Sequence, residues 1–275
     1  MLVAFCKVLN SSLRLFTKLQ ILFYGIVILM DQKQLFTILD DVESTNNYAM
    51  GKLHAGLAVH GEAWFARNQW GGRGQRENQW ESNKDENLLL TIILKPDKVF
   101  RYNIFHFNII VACICHEFLA KIAGKNTFIK WPNDLYFNDR KAGGILIENV
   151  FSGQQWEWAI VGIGININQT NFNLVNNRTS LKSITNLHYN PIELAKALHI
   201  KVIKNLEMID YASQDSYLNY YNDHLFKKNE SVKLKKDNIV FKSTIKEVNS
   251  QGQLVTFDTI ERQFNSSEIK WVLED

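Results

Sequence analysis

Lys141 is followed by Ala142, Gly143 and Gly144 at the head of an apolar run. A lysine entering a site beside small residues can hold a carboxylate against a phosphate, two anions that otherwise repel. Upstream, Gly71, Gly72 and Gly74 punctuate a polar stretch, with Arg73 and Arg76 beside them and Trp80 behind. Glycines let bare N–H groups approach an anion. Guanidinium suits phosphate or carboxylate, and an indole offers a flat face to a heterocycle. The alternative for this loop is a surface segment with solvated arginines. It is neither a Walker A sequence nor a Gly-x-Gly-x-x-Gly fingerprint. Two further polar clusters are "ESTNN", Glu43 to Asn47, and "GIGININ", Gly162 to Asn168. Taken singly, Lys141 reads as a solvated charge, Gly162 and Gly164 as packing glycines, and Asn166 as a turn residue. All four clusters stand at ends of apolar strands, where sites on α/β scaffolds gather. Their occurrence together, in one order, points to one site.

The elements that must position them are legible from pattern. Gln34 to Val42 reads as a strand, and Ser44 and Thr45 as N-cap residues of a helix that stops at Gly56. "GEAWFARNQ" and "NLLLTIILK" read as strands, the second buried and closed by Pro96, with a polar loop from Trp70 to Glu86 between them. Arg101 to Gly124 is apolar on nearly all faces and predicts a central buried helix. "TFIKW" predicts a strand, and "DLYF-NDR-KAGGILIENV" a hairpin with an Asn-Asp turn. Trp156 to Asn168 predicts another strand. Asn190, Pro191 and Glu193 mark a helix start, and Asp215 to Phe226 a further helix. After Lys228 short alternating strands predict a small β-barrel. The expected division is residues 1–30 as an apolar extension, 31–227 as the catalytic part and 228–275 as the barrel.

Composition narrows the class. The 275 residues are 46% hydrophobic and 21% charged, enough for a packed globule. A net charge of +3, from 31 basic and 28 acidic residues, leaves no electrostatic footprint for general nucleic-acid binding. Three cysteines, Cys6, Cys113 and Cys115, do not make a disulfide framework and suit a reducing cytoplasm. Cys113 and Cys115 are two apart on a helix and point to different faces, which favours buried packing over a metal site with His116. Leu19 to Met30 is an almost unbroken apolar run behind Lys7, Arg14 and Lys18. It resembles a signal-peptide core or weak anchor, or else an upstream extension with Met30 as the natural start. It is shorter than the ~18–20 residues of a spanning helix, and no membrane role is expected.

The ordered pattern "STNN…NQWGGRGQ…KWPNDLYFNDRKAGGILIE…VGIGININ" resembles the biotin–protein ligases, also called biotin–[acetyl-CoA-carboxylase] ligases or holocarboxylase synthetases. The resemblance covers roughly residues 36 to 270. It implies an α+β fold, a mixed sheet packed by helices and related to class II aminoacyl-tRNA synthetases, with a small C-terminal SH3-like β-barrel. It implies formation of biotinyl-5′-AMP and pyrophosphate from biotin and ATP with Mg²⁺, then transfer of biotin to a lysine of a biotin carboxyl carrier protein of acetyl-CoA carboxylase or related carboxylases.

The resemblance also assigns roles. Lys141, Arg73 and Asp134 are the catalytic residues. Lys141 neutralises the biotin carboxylate and the α-phosphate, and Arg73 binds the same anions and closes the loop. Asp134, beside Asn133, orients Lys141, a metal or the incoming lysine. Ser44, Thr45, Asn46, Gln69, Gly72, Arg73, Lys141, Gly143 and Gly144 hold biotin, with Ser44, Thr45 and Gln69 on the ureido ring. Gly143 and Gly144 leave room for the thiophene ring and valeryl chain. Arg73, Gln75, Arg76, Trp80, Lys141 and Asn166 hold ATP or the adenylate, with Asn166 reading adenine. The chain departs from the family after Gly-Arg-Gly, where some members have Arg and this chain has Gln75, then Arg76-Glu77-Asn78. Either Gln75 or Arg76 therefore faces the phosphate.

About 35 residues precede the pattern, too few for the DNA-binding module some members carry, so a ligase without repressor function is expected. Members often pair through a sheet edge, making a homodimer a possible state. The rival readings are a lipoate–protein ligase or octanoyltransferase of the same superfamily, and a non-catalytic biotin-responsive binder.

Overall fold

The computed structural model describes residues 35–76, 78–97, 100, 104–172, 177–210 and 213–272. The Leu19–Met30 run lies outside them. Contacts group residues 38–275 as one unit and residues 1–37 as another, of which 35–37 are described.

A seven-stranded sheet has the order β1-β2-β3-β7-β6-β5-β4. Its strands are β1 (Phe36–Val42), β2 (Ala63–Gln69), β3 (Asn87–Leu94), β4 (Thr127–Lys130), β5 (Asp134–Phe137), β6 (Arg140–Ser152) and β7 (Gln155–Asn166). Every residue of β3 is buried, as its unbroken apolar run requires of a strand covered on both faces. The sheet is mixed. Strands β2 to β7 pair antiparallel where they meet. The N–H groups of Trp70 and Gly71 donate to the carbonyls of Val42 and Glu43 (3.2 and 2.9 Å), so the ends of β1 and β2 run the same way.

Helix α1 (Thr45–His54) makes the crossover between those two strands. Ser44 caps it, accepting from the Asn47 N–H, and Gly56 at φ +69° ends the turn that follows. Helix α2 (Ile104–Ala123) buries ten residues, from Phe107 to Leu119, as its all-round apolarity predicts. Helices α3 (Leu181–Thr185), α4 (Pro191–Glu207) and α5 (Gln214–Asp223) follow. The expected Asn190 cap of α4 is present, its side chain accepting from Ile192 and Glu193 N–H. Helix α5 stops short of the expected Phe226. Leu225 and Phe226 leave it because the Ile129 N–H donates to the His224 carbonyl (2.8 Å) and the Phe226 N–H to the Ile129 carbonyl (2.9 Å). Pairing with β4, plus burial of both side chains, outweighs another helical turn.

Beyond residue 228 the expected small β unit is a five-stranded antiparallel sheet, order β11-β10-β9-β8-β12. Its strands are β8 (Ser231–Lys236), β9 (Ile239–Val248), β10 (Leu254–Phe257), β11 (Glu261–Phe264) and β12 (Lys270–Val272). One polar tie joins it to the turn after β4 and another to helix α5. The Trp131 indole N–H donates to the Gly252 carbonyl (3.0 Å). Asn222 brackets Val248 with two bonds (2.9 and 2.7 Å).

Candidate active site

Strand alternation decides what faces the cavity. In register, Asn87, Leu89 and Thr91 of β3 oppose Asn166, Gly164 and Gly162 of β7. On β6, Gly144 and Leu146 oppose Gly164 and Gly162. Directly paired residues share a face. Of these, Leu89, Gly144, Leu146, Gly162, Gly164 and Asn166, together with the start of α1, the Gly71–Gly74 loop, the Trp131–Asp134 turn and β12, line a cavity of about 1030 Å³. Its wall at β7 is made of glycines for a steric reason. A Cβ at Gly162 would run into the Asn46 amide, and one at Gly164 would lie 2.7 Å from the Trp80 ring.

Of the sequence-predicted residues, Ser44, Thr45, Asn46, Gln69, Arg73, Gln75, Arg76, Trp80, Asp134, Lys141, Gly144 and Asn166 line the cavity. Gly143 does not. Its Cβ would meet the Gly164 carbonyl at 2.9 Å and the side chains of Ile165 and Leu135. Consecutive strand residues face opposite sides, so Gly143 and Gly144 cannot both leave room for one ligand. Gly72 also lies outside the main cavity. It packs under Trp80, whose carbonyl a Cβ would meet at 2.5 Å, and it bends the loop rather than lining the site.

At one end, Gln69 Oε1 accepts from the Thr45 N–H (2.7 Å) and hydroxyl (3.0 Å). Thr91 Oγ1 lies 2.7 Å from both Thr45 Oγ1 and Asn46 Oδ1. Asn46 donates to Glu148 (2.8 Å) and to the Leu146 carbonyl (3.3 Å), so its amide is committed to the scaffold. Ser44 is buried at the same helix end. In the middle, the Lys141 ammonium meets Asp134 at 2.6 Å and lies 5.9 Å from the Trp80 ring centre. Asn133 spends its amide on the Ile145 carbonyl. At the far end, the buried Asn166 donates to the carbonyls of Thr179 (2.9 Å) and Lys141 (3.4 Å), which leaves its Oδ1 to accept.

The loop is tied down from two sides. Arg73 pairs with Glu148 (3.0 Å) and donates to Asn47 (2.8 Å). Arg76, at φ +54°, donates to the Ile269 carbonyl (3.3 Å) of the second sheet. Between the two candidates for a phosphate contact, Arg76 thus has a backbone partner.

Sequence reasoning missed Glu148, Arg178, Lys130 and Trp271. Glu148 was findable, since it shares parity with Gly144. Arg178 forms a bridge with Lys141 through the backbone and pairs with Glu81 at 3.4 Å; its approach is long-range. Lys130 is 9% exposed, and burial pushes its pKa down to about 8. Burial likewise raises that of Tyr136 beside it. Cys113 and Cys115 are buried thiols away from the site, and burial lifts Cys115 to about 12.

Residues 39–166 match the model of the biotin/lipoate A/B protein ligase family. Over 130 residues the chain is 32% identical to the bifunctional ligase/repressor BirA of Escherichia coli (strain K12), covering 47% of this chain and 40% of BirA. Over 128 residues it is 35% identical to the biotin–[acetyl-CoA-carboxylase] ligase of Paracoccus denitrificans, covering 46% of this chain and 51% of that protein. The alignments thus span about half or less of these relatives' length. The fold matches the biotin protein ligase of Aquifex aeolicus in complex with biotin and ATP, with a TM-score of 0.72 at 24% identity, over 86% of this chain and 99% of that one. The matched segment ends at Asn166, so every cavity residue from β1 to β7 falls inside it, while β12 falls outside.

Proposed function

We propose that the chain is a biotin–protein ligase. It joins biotin to ATP as biotinyl-5′-AMP, releases pyrophosphate, and passes the biotinyl group to a lysine of a biotin carboxyl carrier protein of acetyl-CoA carboxylase or a related carboxylase. The supporting observation is Lys141, whose ammonium, paired with Asp134, shares one cavity with a polar group of Ser44, Thr45 and Gln69 and with Trp80 and Asn166. A cyclic urea needs its N–H groups and its carbonyl satisfied when buried, and the polar group offers hydroxyls and an amide. In the first step a biotin carboxylate oxygen attacks the α-phosphorus. Lys141 offsets the repulsion and stabilises the charge that develops there. Asp134 holds the ammonium in place. Mg²⁺ enters with the triphosphate as substrate. Among the described residues no group of three or more His, Cys, Asp or Glu gathers to hold a metal. We place the boundary between catalytic part and second sheet at 227/228, the reaction in the cytoplasm, and a homodimer at a sheet edge.

Biotin-dependent ATP–pyrophosphate exchange, followed by mass spectrometry of a carrier domain for a biotinylated lysine, tests this reading. Biotin, not lipoate, should raise the melting temperature. Stabilisation by lipoate alone, or absence of exchange, overturns it.

Arg73 clamps the loop to Glu148 and Asn47, and a mixed acyl-phosphate anhydride survives only where water is excluded. Arg73→Gly therefore weakens retention of biotinyl-AMP more than its synthesis. Released adenylate should accumulate and biotinylate bystander lysines on an added protein such as albumin. Unmodified bystanders and no free adenylate would remove the lid role.

A further inference from the structure

Lys130 ends β4 and pairs in register with Asp134, so both side chains point into the cavity. It is 9% exposed. Its ammonium has three donors, yet it makes a single hydrogen bond among the described residues, to the Tyr136 hydroxyl at 3.2 Å. The ring faces of Tyr136 (5.1 Å) and Trp271 (5.3 Å) also lie against it. The nearby carboxylate, Asp134, is taken by Lys141. Beside it, the Trp271 indole N–H is buried and has no hydrogen-bond partner among the described residues. A buried cation and a buried donor left unpaired both cost stability, and here both border the same cavity.

We infer that Lys130 and the Trp271 indole N–H form an oxyanion subsite for the nucleotide's β- and γ-phosphates and for the pyrophosphate that departs. The inference rests on the ligase reading above. When the carboxylate oxygen bonds to the α-phosphorus, the bond from that phosphorus to the bridging oxygen breaks, and its electron pair leaves with pyrophosphate. Negative charge therefore builds on both sides of the α-phosphorus. Lys141 serves the attacking side. Lys130 stands on the opposite flank of β5, toward the second sheet, and serves the leaving side. The groups facing Lys130 are Asp134 and Tyr136 from β5, Lys141 from β6, and Lys270 and Trp271 from β12. A bound polyphosphate holds Lys130 protonated. Its pKa of about 8 in the free protein then rises, so binding takes up a proton above that pH. Affinity is flat with respect to this group below pH about 8 and falls as pH rises through it.

The test is calorimetric binding of inorganic pyrophosphate to the full chain at pH 7 and pH 9.5, for wild type, Lys130→Met, Lys130→Arg and Trp271→Phe. At pH 7 Lys130→Met should weaken binding about 10- to 100-fold, the range for one charged hydrogen bond. Lys130→Arg should restore most of it, and Trp271→Phe should lose a smaller factor. Wild type should lose more affinity between the two pH values than Lys130→Met, a comparison in which pyrophosphate's own ionisation cancels. In the reaction, Lys130→Met should raise the KM for ATP, and for pyrophosphate in reversal, while biotin affinity holds. Equal pyrophosphate affinity in wild type and Lys130→Met overturns the subsite. If that variant does not fold, an unchanged Trp271→Phe together with a Lys130→Arg protein that loses as much affinity between the two pH values as wild type overturns it instead. Pyrophosphate binding through Lys130 without biotin-dependent exchange would sink the ligase reading and leave the subsite standing. Exchange with an unmoved KM in Lys130→Met does the reverse.

Discussion

Lys141→Ala lowers biotin-dependent pyrophosphate release by about 10²–10³-fold, the usual effect of removing one preorganised charge from a transition state (about 2.7–4 kcal/mol). The geometry places the loss at the upper end. The ammonium sits 2.6 Å from Asp134, so its removal leaves that carboxylate uncompensated where two further anions must meet. Biotin itself is held by the Ser44, Thr45 and Gln69 end of the cavity and should lose much less affinity. Chemically supplied biotinyl-AMP bypasses adenylation and should partly restore transfer to the carrier. The decisive pair of measurements is pyrophosphate release and transfer from supplied adenylate, in wild type and variant. Equal release in the two proteins would return Lys141 to the solvated charges.

Gly162→Ala should be strongly destabilising. The new Cβ runs into the Asn46 amide. Asn46 cannot yield cheaply, because it bonds Glu148, the Leu146 carbonyl and Thr91 while 4% exposed. Overpacking costs about 1–3 kcal/mol, and orphaning those buried polar partners a further roughly 1–3 kcal/mol. Urea denaturation should show the midpoint falling at unchanged m-value. Asn46 sits in the first turn of α1, whose start carries Ser44 and Thr45, so the KM for biotin should rise as well. Gly51→Ala serves as control, since a Cβ there meets nothing within 4 Å. It should be neutral or slightly stabilising. A Gly162→Ala protein as stable as that control would show that the Asn46 network is slack.

Local rules sufficed for much of the architecture. Ser44 before α1 and Asn190-Pro191 before α4 are caps whose hydrogen bonds reach only two or three residues along the chain, so the sequence alone determines them. The same holds for the buried run of β3, the all-round apolarity of α2 and the turn at Asn138, where φ is +48°. The resemblance carried by the ordered polar clusters named Ser44, Gln69, Arg73, Lys141 and Asn166 together, and all five line one cavity.

Tertiary structure alone decided the rest. Alternation along β6 assigns Gly144 to the cavity and Gly143 to the opposite face, and that parity is set by pairing with β5 and β7. Helix α5 ends at Asp223 because β4, about a hundred residues earlier in the chain, offers hydrogen bonds to the residues beyond it. Glu148 becomes the partner of Arg73, and Trp271 the neighbour of Lys130, only once strands distant in sequence lie side by side. Caps and periodicity are energies of a few adjacent residues. Which side chains share a cavity depends on register and burial, and those belong to contacts that no local window contains.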